Sequence, residues 1–411
     1  MSDTLAVSSG RAVSRITPDM WRAAWTVTAV FMLSNSPTPL YVVWQRALGF
    51  SSGTLTVIFA LYIAGLLGTL LLAGQLSDRY GRKPVLLPGL LAGLVACALF
   101  ASASSVAMLA AGRLLTGIAV GVIVSAGMAS IGDLGGAQRR RQAALLASVA
   151  MVLGAGLGPF LAGAVARTLA HPVPYIFGME LLVLSSAFVI AARLPLKRPA
   201  EARRSGVHLH LHLPSVPADN RLHVACGIGV FGPGITATSF VLALGPSLLS
   251  RLLEAHSPLI SGGMACAMFA AATGVQFAVR SWPVRAIFAA GTTATVLSMC
   301  ALCFAVHASS ALVLVLAALL AGVGQGLGQL GGLTLIGLHV PDTHRAEANA
   351  VMNIGGYLPA GLLPVMTGYA IDFLGLPTGA TLFSVALAGI ALVSGGAVFR
   401  YLSSRDAMAS S

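Results

Sequence analysis

Two ionisable side chains, Arg113 and Glu180, lie inside long apolar runs of the sequence. If lipid surrounds those runs, each charge costs several kcal/mol unless it is paired or hydrated, and such residues commonly mark ion or proton pathways. Burial opposes the charge of a carboxylate, whereas a nearby arginine supports it. We therefore predict that Glu180 takes up and releases protons and that Arg113 modulates it. The alternatives are a purely structural Glu180–Arg113 bond and side chains that extend to the membrane surface.

Composition indicates that a bilayer surrounds this chain. The 411 residues are 57% hydrophobic and only 9% charged, with a mean hydropathy of +0.88, whereas soluble proteins carry roughly 25% charged residues. Apolar runs of about 20 residues are the length that a membrane-spanning helix needs. The sequence predicts twelve such helices, at 22–45, 52–76, 84–104, 106–131, 142–167, 173–194, 222–250, 257–279, 284–306, 309–338, 345–371 and 376–400.

The basic residues predict the orientation of these spans. Of the 24 Lys and Arg residues, 20 fall on one side, Arg113 lies within a span, and only Arg46, Arg167 and Arg251 fall on the other side. This positive-inside bias places both termini in the cytoplasm, and it explains the net charge of +12 without a nucleic-acid partner. The predicted organisation is a tail at 1–21, six helices at 22–194, a cytoplasmic middle loop at 195–221, six helices at 222–400 and a tail at 401–411.

The two predicted halves resemble each other when the sequence is shifted by 205 residues. Repeated halves are typical of secondary transporters, which form a midplane site between two rocking bundles. The matching pairs include Gly117 with Gly322, Gly121 with Gly326, Arg140 with Arg345, Leu153 with Leu358, Pro159 with Pro364 and Gly163 with Gly368.

Three other patterns are weak signals of chemistry. The glycines at 326, 328 and 331 fit a dinucleotide-binding fingerprint, but they lie within an apolar span, and that fingerprint requires a preceding strand. His208, His210 and His212 alternate in the middle loop without acid or cysteine partners, so we expect a solvated linker rather than a metal site. The five cysteines lie in apolar runs and are expected to be buried hydrophobes. We expect no cofactor, no metal and no enzymatic activity.

A charged turn joins the second and third spans. The stretch GQLSDRYGRK, residues 74–83, resembles the loop signature of the major facilitator superfamily, G-x-L-x-D-[RK]-x-G-[RK]-[RK]. The resemblance implies a conformational latch in which the loop acid contacts the start of span eleven and a basic residue bridges to the end of span four. We predict that Asp133 is the acid at span four. The predicted latch residues are Gly74, Asp78, Arg79, Gly81, Arg82, Lys83 and Asp133.

Two further motifs resemble that superfamily. Arg113-Leu-Leu-Thr-Gly117 is similar to its R-x-x-x-G signature in span four, which the family links to proton transfer in proton-coupled members. Span five resembles the glycine–proline motif of drug/proton antiporters, although the glycine pair that follows the proline is absent here. The predicted helix-bend residues are Gly154, Gly158, Pro159 and Gly163.

Polar residues at mid-depth are the candidates for a substrate cavity. In the superfamily that the chain resembles, spans one, four, seven and ten line the cavity, and polar groups within a membrane usually face such an interior. No acid accompanies them in the second half, which favours an amphiphilic, neutral or anionic cargo over a polycation. The predicted cavity residues are Asn35, Thr38, Thr116, Thr236, Gln325, Gln329, Asn353 and Tyr357.

Together these patterns predict an all-α membrane protein with twelve helices in two pseudo-symmetric six-helix bundles. The predicted function is proton-coupled efflux of small amphiphilic compounds by alternating access, from a monomer in a bacterial inner membrane. A proton-coupled importer or facilitator of a sugar, organic acid or other metabolite is the alternative, since the sequence does not fix the direction. A membrane sensor that retains the fold without transporting is a third possibility.

Overall fold

The computed structural model describes residues 16–196, 214–253, 257–341 and 343–410, and within these ranges the chain is helical and contains no strand. The all-α prediction is therefore confirmed. His208, His210 and His212 lie outside the described residues. The helices are α1 Pro18–Asn35, α2 Tyr41–Leu48, α3 Ser52–Tyr80, α4 Arg82–Ala101, α5 Val106–Val122, α6 Met128–Gly135, α7 Arg140–Thr168, α8 Pro172–Arg193, α9 Arg221–Leu252, α10 Pro258–Ala278, α11 Val284–His307, α12 Ala311–His339, α13 Arg345–Leu374 and α14 Leu376–Ser410.

The first predicted span is broken rather than continuous. Helix α1 ends at Asn35, a single 3₁₀ turn covers Thr38–Leu40, and α2 follows. Pro37 and Pro39 have no N–H to donate, so an α-helical ladder cannot run through them. Eleven helices within the described residues are long and apolar enough to cross a membrane, and α1 with α2 supplies the remaining, divided span.

The fourth span also departs from a regular helix. A π-helical turn at Ile123–Gly127 separates α5 from α6. Such turns occur mostly as local bulges inside α-helices and frequently at functional sites. Just before this turn, Gly121 allows the backbone to pack closely on α3. A Cβ at this residue would lie 3.0 Å from the carbonyl oxygen of Leu66.

Helix boundaries reproduce the repeat that the sequence predicts. Helices α5 and α12 begin at Val106 and Ala311, and helices α7 and α13 begin at Arg140 and Arg345. Both pairs of starts differ by 205 residues, the shift that aligns the two halves of the sequence. Equivalent residues therefore occupy equivalent helices in the two halves, α1–α8 and α9–α14.

Burial separates a central layer from a lipid-facing surface. Helix α9 is buried along most of its length, as an apolar helix in the interior of a bundle should be. By contrast, large apolar side chains such as Leu182, Leu312 and Phe373 are at least three-quarters exposed. We call the side of the molecule that carries the 74–83 loop the basic face and the opposite side the distal face.

Candidate functional site

Arg113 is a buried cation whose polar partners come from the broken first span. Its side chain on α5 is 1% exposed. The Nε group donates to the hydroxyl of Tyr41, and Nη1 donates to the carbonyl oxygen of Ser34 at 2.6 Å. The rings of Tyr41, Phe59 and Tyr62 surround the guanidinium, with centroids 5.0, 5.7 and 5.9 Å from Cζ. These ring faces stabilise the positive charge without a carboxylate.

Glu180 is fully buried and contacts the same broken segment from the other side. Its Oε1 lies 2.5 Å from the hydroxyl of Ser36. None of the ion pairs among the described residues joins Glu180 to Arg113. The direct Glu180–Arg113 bond that the sequence left open is therefore absent from this conformation. Both residues instead form hydrogen bonds to the segment 34–41, where the first span is interrupted.

The hydroxyl of Ser36 has two acceptors but only one proton. It lies 2.8 Å from the carbonyl oxygen of Met32 and 2.5 Å from Glu180 Oε1, and a hydroxyl donates one hydrogen bond. When Glu180 is protonated, it donates to Ser36, and Ser36 donates to Met32. When Glu180 is ionised, the Ser36 hydroxyl must donate to the carboxylate, and the Met32 carbonyl oxygen keeps only the backbone N–H of Ser36, at 3.1 Å. The protonation state of Glu180 thus sets a hydrogen bond at the end of α1.

An aromatic cluster fixes α2 against the rest of its half. The ring of Trp44 stacks on Phe100 and on Phe177, each with a centroid separation of 5.9 Å. Since Trp44 follows Tyr41 by three residues on α2, this packing also holds the Tyr41 hydroxyl against Arg113. The broken first span is therefore anchored at the point where the two ionisable residues contact it.

A cavity of about 120 Å³ lies between the two halves. Of the eight predicted cavity residues, four line it: Asn35, Gln325, Gln329 and Tyr357. Thr116 and Thr236 do not; both are fully buried, and their hydroxyls donate at 2.7 Å to carbonyl oxygens four residues earlier in their own helices. Thr38 in the 3₁₀ turn and Asn353 on α13 are also outside the lining.

Several lining residues were missed by the sequence reasoning. Tyr62 on α3 and both Thr273 and Gln276 on α10 face the cavity, as does Thr238 on α9. The sequence reasoning expected polar lining mainly from spans one, four, seven, ten and eleven, so α3 and α10 were not considered. The spacing of Thr273 and Gln276, one helical turn apart, was the available signal, since such residues share a helix face.

The predicted ion pair between Arg82 and Asp133 forms where α3 turns into α4. Arg82 Nε lies 3.0 Å from Asp133 Oδ2, and its Nη1 lies 2.6 Å from Asp78 Oδ1. Lys83 donates to the carbonyl oxygen of Ala192 at 2.7 Å. The Asp78 side chain is 72% exposed, so in this conformation it is not inserted against another helix.

The two loop glycines behave differently. Gly81 has a φ of 93°, a conformation that residues with a side chain rarely adopt, and it permits the tight reversal into α4. A Cβ at Gly74 would meet nothing within 4 Å. Gly74 therefore does not serve close helix packing in this conformation.

The glycine–proline stretch of α7 packs on both neighbouring helices. A Cβ at Gly154 or Gly158 would overlap carbonyl oxygens of α1, those of Thr28 and Met32. A Cβ at Gly163 would overlap the carbonyl oxygen of Pro258 in α10, which belongs to the other half. This stretch therefore brings α7 close to the first span and, near the distal face, across to the second half.

The two halves meet closely at the distal face. The Asp372 carboxylate of α13 accepts from the backbone N–H groups of Ser52 and Gly53, at 2.9 and 2.8 Å, and so caps the start of α3. A Cβ at Gly368 would lie 2.8 Å from the carbonyl oxygen of Ser52, so α13 packs closely on α3 here. Gly163 makes the equivalent approach to α10, and it precedes Gly368 by the repeat length of 205 residues. The distal face is therefore closed by two interfaces that the internal repeat relates.

We expect Asp372→Ala to open the distal face more often. Loss of a helix-capping side chain costs about 0.5–2 kcal/mol, which corresponds to a roughly 2- to 30-fold smaller ratio of closed to open molecules. Gln45 and Ser247 lie on opposite halves with side-chain oxygens 3.3 Å apart. Cross-linking of Gln45→Cys to Ser247→Cys by a short bifunctional thiol reagent should therefore fall in Asp372→Ala. Asp372→Asn, which retains one capping oxygen, should be intermediate, and unchanged cross-linking in both variants would contradict this role.

The dinucleotide-like glycines lie within α12 and serve helix packing. Ideal Cβ atoms at Gly326, Gly328 and Gly331 would overlap groups of α10, α9 and α11, respectively. The five cysteines are all free, but only Cys97 and Cys226 are buried as expected; the others are partly buried or exposed, namely Cys266, Cys303 and Cys300.

Comparison with known proteins identifies the family. The family model described as Major Facilitator Superfamily matches residues 23–281. Multidrug resistance protein MdtL of Klebsiella pneumoniae (strain 342) is 30% identical over 184 residues, which cover 42% of this chain and 46% of that protein. MdtL of Shigella dysenteriae serotype 1 (strain Sd197) is 28% identical over 167 residues, 38% of this chain and 41% of that protein. The chain thus matches less than half the length of these curated relatives.

Solved structures share the fold over almost the whole chain. A crystal structure of the nucleoside transporter NupG has a TM-score of 0.68 and 14% identity, covering 93% of this chain and 99% of that chain. A mutant of the same transporter has a TM-score of 0.72 at 12% identity. At these identities the likeness concerns the fold alone. Together with the family match across residues 23–281, it establishes that the chain is a multi-pass membrane protein that belongs to the Major Facilitator Superfamily.

Proposed function

We propose that this protein is a proton-coupled exporter of small amphiphilic compounds in a bacterial inner membrane, with both termini and the basic face in the cytoplasm. The observation that carries the proposal is the arrangement at the break of the first span. A buried carboxyl, Glu180, and a buried guanidinium, Arg113, bond to Ser36 and Ser34, two residues apart in the chain. Proton binding and cavity geometry can therefore act on one short segment.

The coupling step follows from the hydrogen bonds of Ser36. Protonated Glu180 lets the Ser36 hydroxyl add a second hydrogen bond to the Met32 carbonyl oxygen at the end of α1, whereas ionised Glu180 takes that hydroxyl donor away. Asn35 lies between Ser34 and Ser36 and lines the cavity. A change in the geometry of residues 34–36 therefore alters the part of the cavity wall that the cargo would contact. In the proposed cycle, cargo and proton bind alternately, and each favours a different geometry of the first span.

Helices α3 and α13 supply one contact that suits a closed distal face and another that suits a closed basic face. At the distal face, Asp372 of α13 caps the start of α3. At the basic face, Asp78 of α3 lies near the other end of the same helix, and the family resemblance implies that it contacts the start of α13 when that face closes. Each helix would thus offer an acid to the positive N-terminal end of the other. Exchange between these two contacts would accompany the rocking of the halves.

Two observations support export of amphiphilic cargo. The cavity combines aromatic and aliphatic walls with a few amides and hydroxyls, as expected of sites that bind small amphiphiles. The relatives named MdtL are multidrug resistance proteins. The small-molecule cargo, the proton as coupling ion and the monomeric state belong to this proposal.

Inside-out vesicles energised to an acidic interior provide the test. A pH-sensitive dye would report the interior while amphiphilic drugs, dyes, sugars and organic acids are added to vesicles with and without the protein. We expect an amphiphilic compound to release protons only when the protein is present. Cargo that moves together with the proton would favour the importer of a sugar, acid or metabolite instead. Cargo flux without any proton movement would contradict coupling.

A further inference from the structure

We infer that the central cavity selects an uncharged amphiphile that carries a hydrogen-bond acceptor beside a donor, as a primary carboxamide does. This inference rests on the proposed function, because it names the cargo class of the same cavity. It comes from two residues that line the cavity from opposite halves, Arg113 on α5 and Gln325 on α12, each with a buried polar atom that lacks a partner. Arg113 Nη2 and Gln325 Oε1 have no hydrogen-bond partner among the described residues.

The free donor belongs to Arg113. Two of its three nitrogens are engaged, by Tyr41 and by the carbonyl oxygen of Ser34. The side chain is 1% exposed, so bulk solvent does not reach Nη2. A buried donor that lacks a partner is destabilising, and a cargo oxygen that accepts from Nη2 would remove this penalty.

The free acceptor belongs to Gln325, and packing fixes its position. The backbone of α9 approaches α12 so closely here that a Cβ at Gly234 would lie 2.8 Å from Gln325 Cα. On the neighbouring residues, Gly324 packs against Thr295 of α11 and Gly326 against Ala272 of α10. Three helices therefore hold this turn of α12, so Gln325 lines the cavity from a rigid support. A cargo N–H group that donates to Oε1 would complete the pair.

The charge of the cavity determines the class of compound. Among the described residues that line it, Arg113 carries the only formal charge, so a cationic cargo would be repelled. An anion would satisfy Arg113 but would bring no donor to Gln325. A neutral carboxamide with an aromatic or aliphatic body satisfies both atoms and fills the apolar walls. Because Arg113 and Gln325 lie on different halves, such a cargo would also contact both bundles, which must move relative to each other during transport.

Four compounds with one phenylbutyl body test the inference on the purified full chain. They are 4-phenylbutyramide, its N,N-dimethyl amide, 4-phenylbutyrate and 4-phenylbutylamine. Binding would be measured from the concentration dependence of the unfolding temperature, without a proton gradient. We expect the primary amide to bind most tightly and the dimethyl amide, which lacks the donor, to bind about tenfold more weakly.

Two glutamine variants separate a specific contact from general polarity. In Gln325→Leu the primary and dimethyl amides should bind equally, since the partner of the donor is gone. Gln329→Leu removes an amide from the same cavity wall one turn further along α12 and should leave the tenfold difference intact. Tighter binding of the carboxylate or the amine, equal binding of both amides to the unaltered protein, or no binding by any of the four would overturn the inference. Proton release in vesicles is measured separately, so a failure here leaves the coupling proposal standing, and the reverse also holds.

Discussion

Glu180→Gln should abolish cargo-driven proton release and weaken cargo binding. A glutamine side chain can donate to Ser36, so it reproduces the hydrogen bonds of the protonated carboxyl. The Ser36–Met32 bond, 2.8 Å in the structure, would then persist throughout the cycle. We expect cargo to bind more weakly than to the unaltered protein, because the geometry of the proton-bound state persists, and proton release to fall to the level of vesicles without the protein.

Ser36→Ala provides the matched control for this prediction. It removes the partner of Glu180 but keeps a titratable carboxyl in the same place. Proton release should therefore persist in Ser36→Ala, with an altered dependence on pH. Coupled proton release that survives in Glu180→Gln would exclude Glu180 as the proton carrier, whichever way Ser36→Ala behaved.

Gly262→Leu should stop transport by preventing closure of the distal face. A Cβ at Gly262 in α10 would overlap the carbonyl oxygen of Pro159 in α7, at the interface between the halves. Added bulk in a close-packed contact costs about 1–3 kcal/mol, which is a roughly 5- to 150-fold loss of the closed form. The Gln45→Cys and Ser247→Cys pair should cross-link poorly in this variant, and cargo flux should fall with it.

Gly263, the adjacent residue on α10, provides the control, because the same glycine-to-leucine change is made one position further along the helix. A Cβ at Gly263 would meet nothing within 4 Å, so Gly263→Leu should transport and cross-link like the unaltered protein. Equal loss in both variants would mean that general damage to α10, rather than the α7 contact, stops transport. Normal cross-linking in Gly262→Leu would contradict closure through this interface.

The sequence was a good predictor of the helices because their apolar runs are long and their ends are marked by charge. Nearly every predicted span lies within a few residues of an observed helix, and the repeat of 205 residues reappears in the helix starts. The first span was the exception, since its hydropathy continues through Pro37 and Pro39 although its hydrogen-bond ladder does not. Hydropathy averages over residues and does not detect a missing N–H group.

The candidate site was harder to predict for a geometric reason. Sequence reasoning selected Arg113 and Glu180 because charge within an apolar run is unusual, and the structure buries both. It did not reveal that Ser34 and Ser36 connect them, because serine is common and its partners are distant in the chain. Cavity lining was predicted only in part, since the face of a helix that points inwards depends on how helices such as α3 and α10 pack.

Infrared difference spectroscopy of the purified protein would test most directly whether cargo and proton compete through Glu180. The carbonyl stretch of a protonated carboxyl in an apolar site is separate from that of an ionised carboxylate, so the method reports this group itself. We expect cargo binding to diminish a protonated-carboxyl band that is absent from Glu180→Gln. A band that is assigned to Glu180 but does not respond to cargo would contradict the proposed coupling.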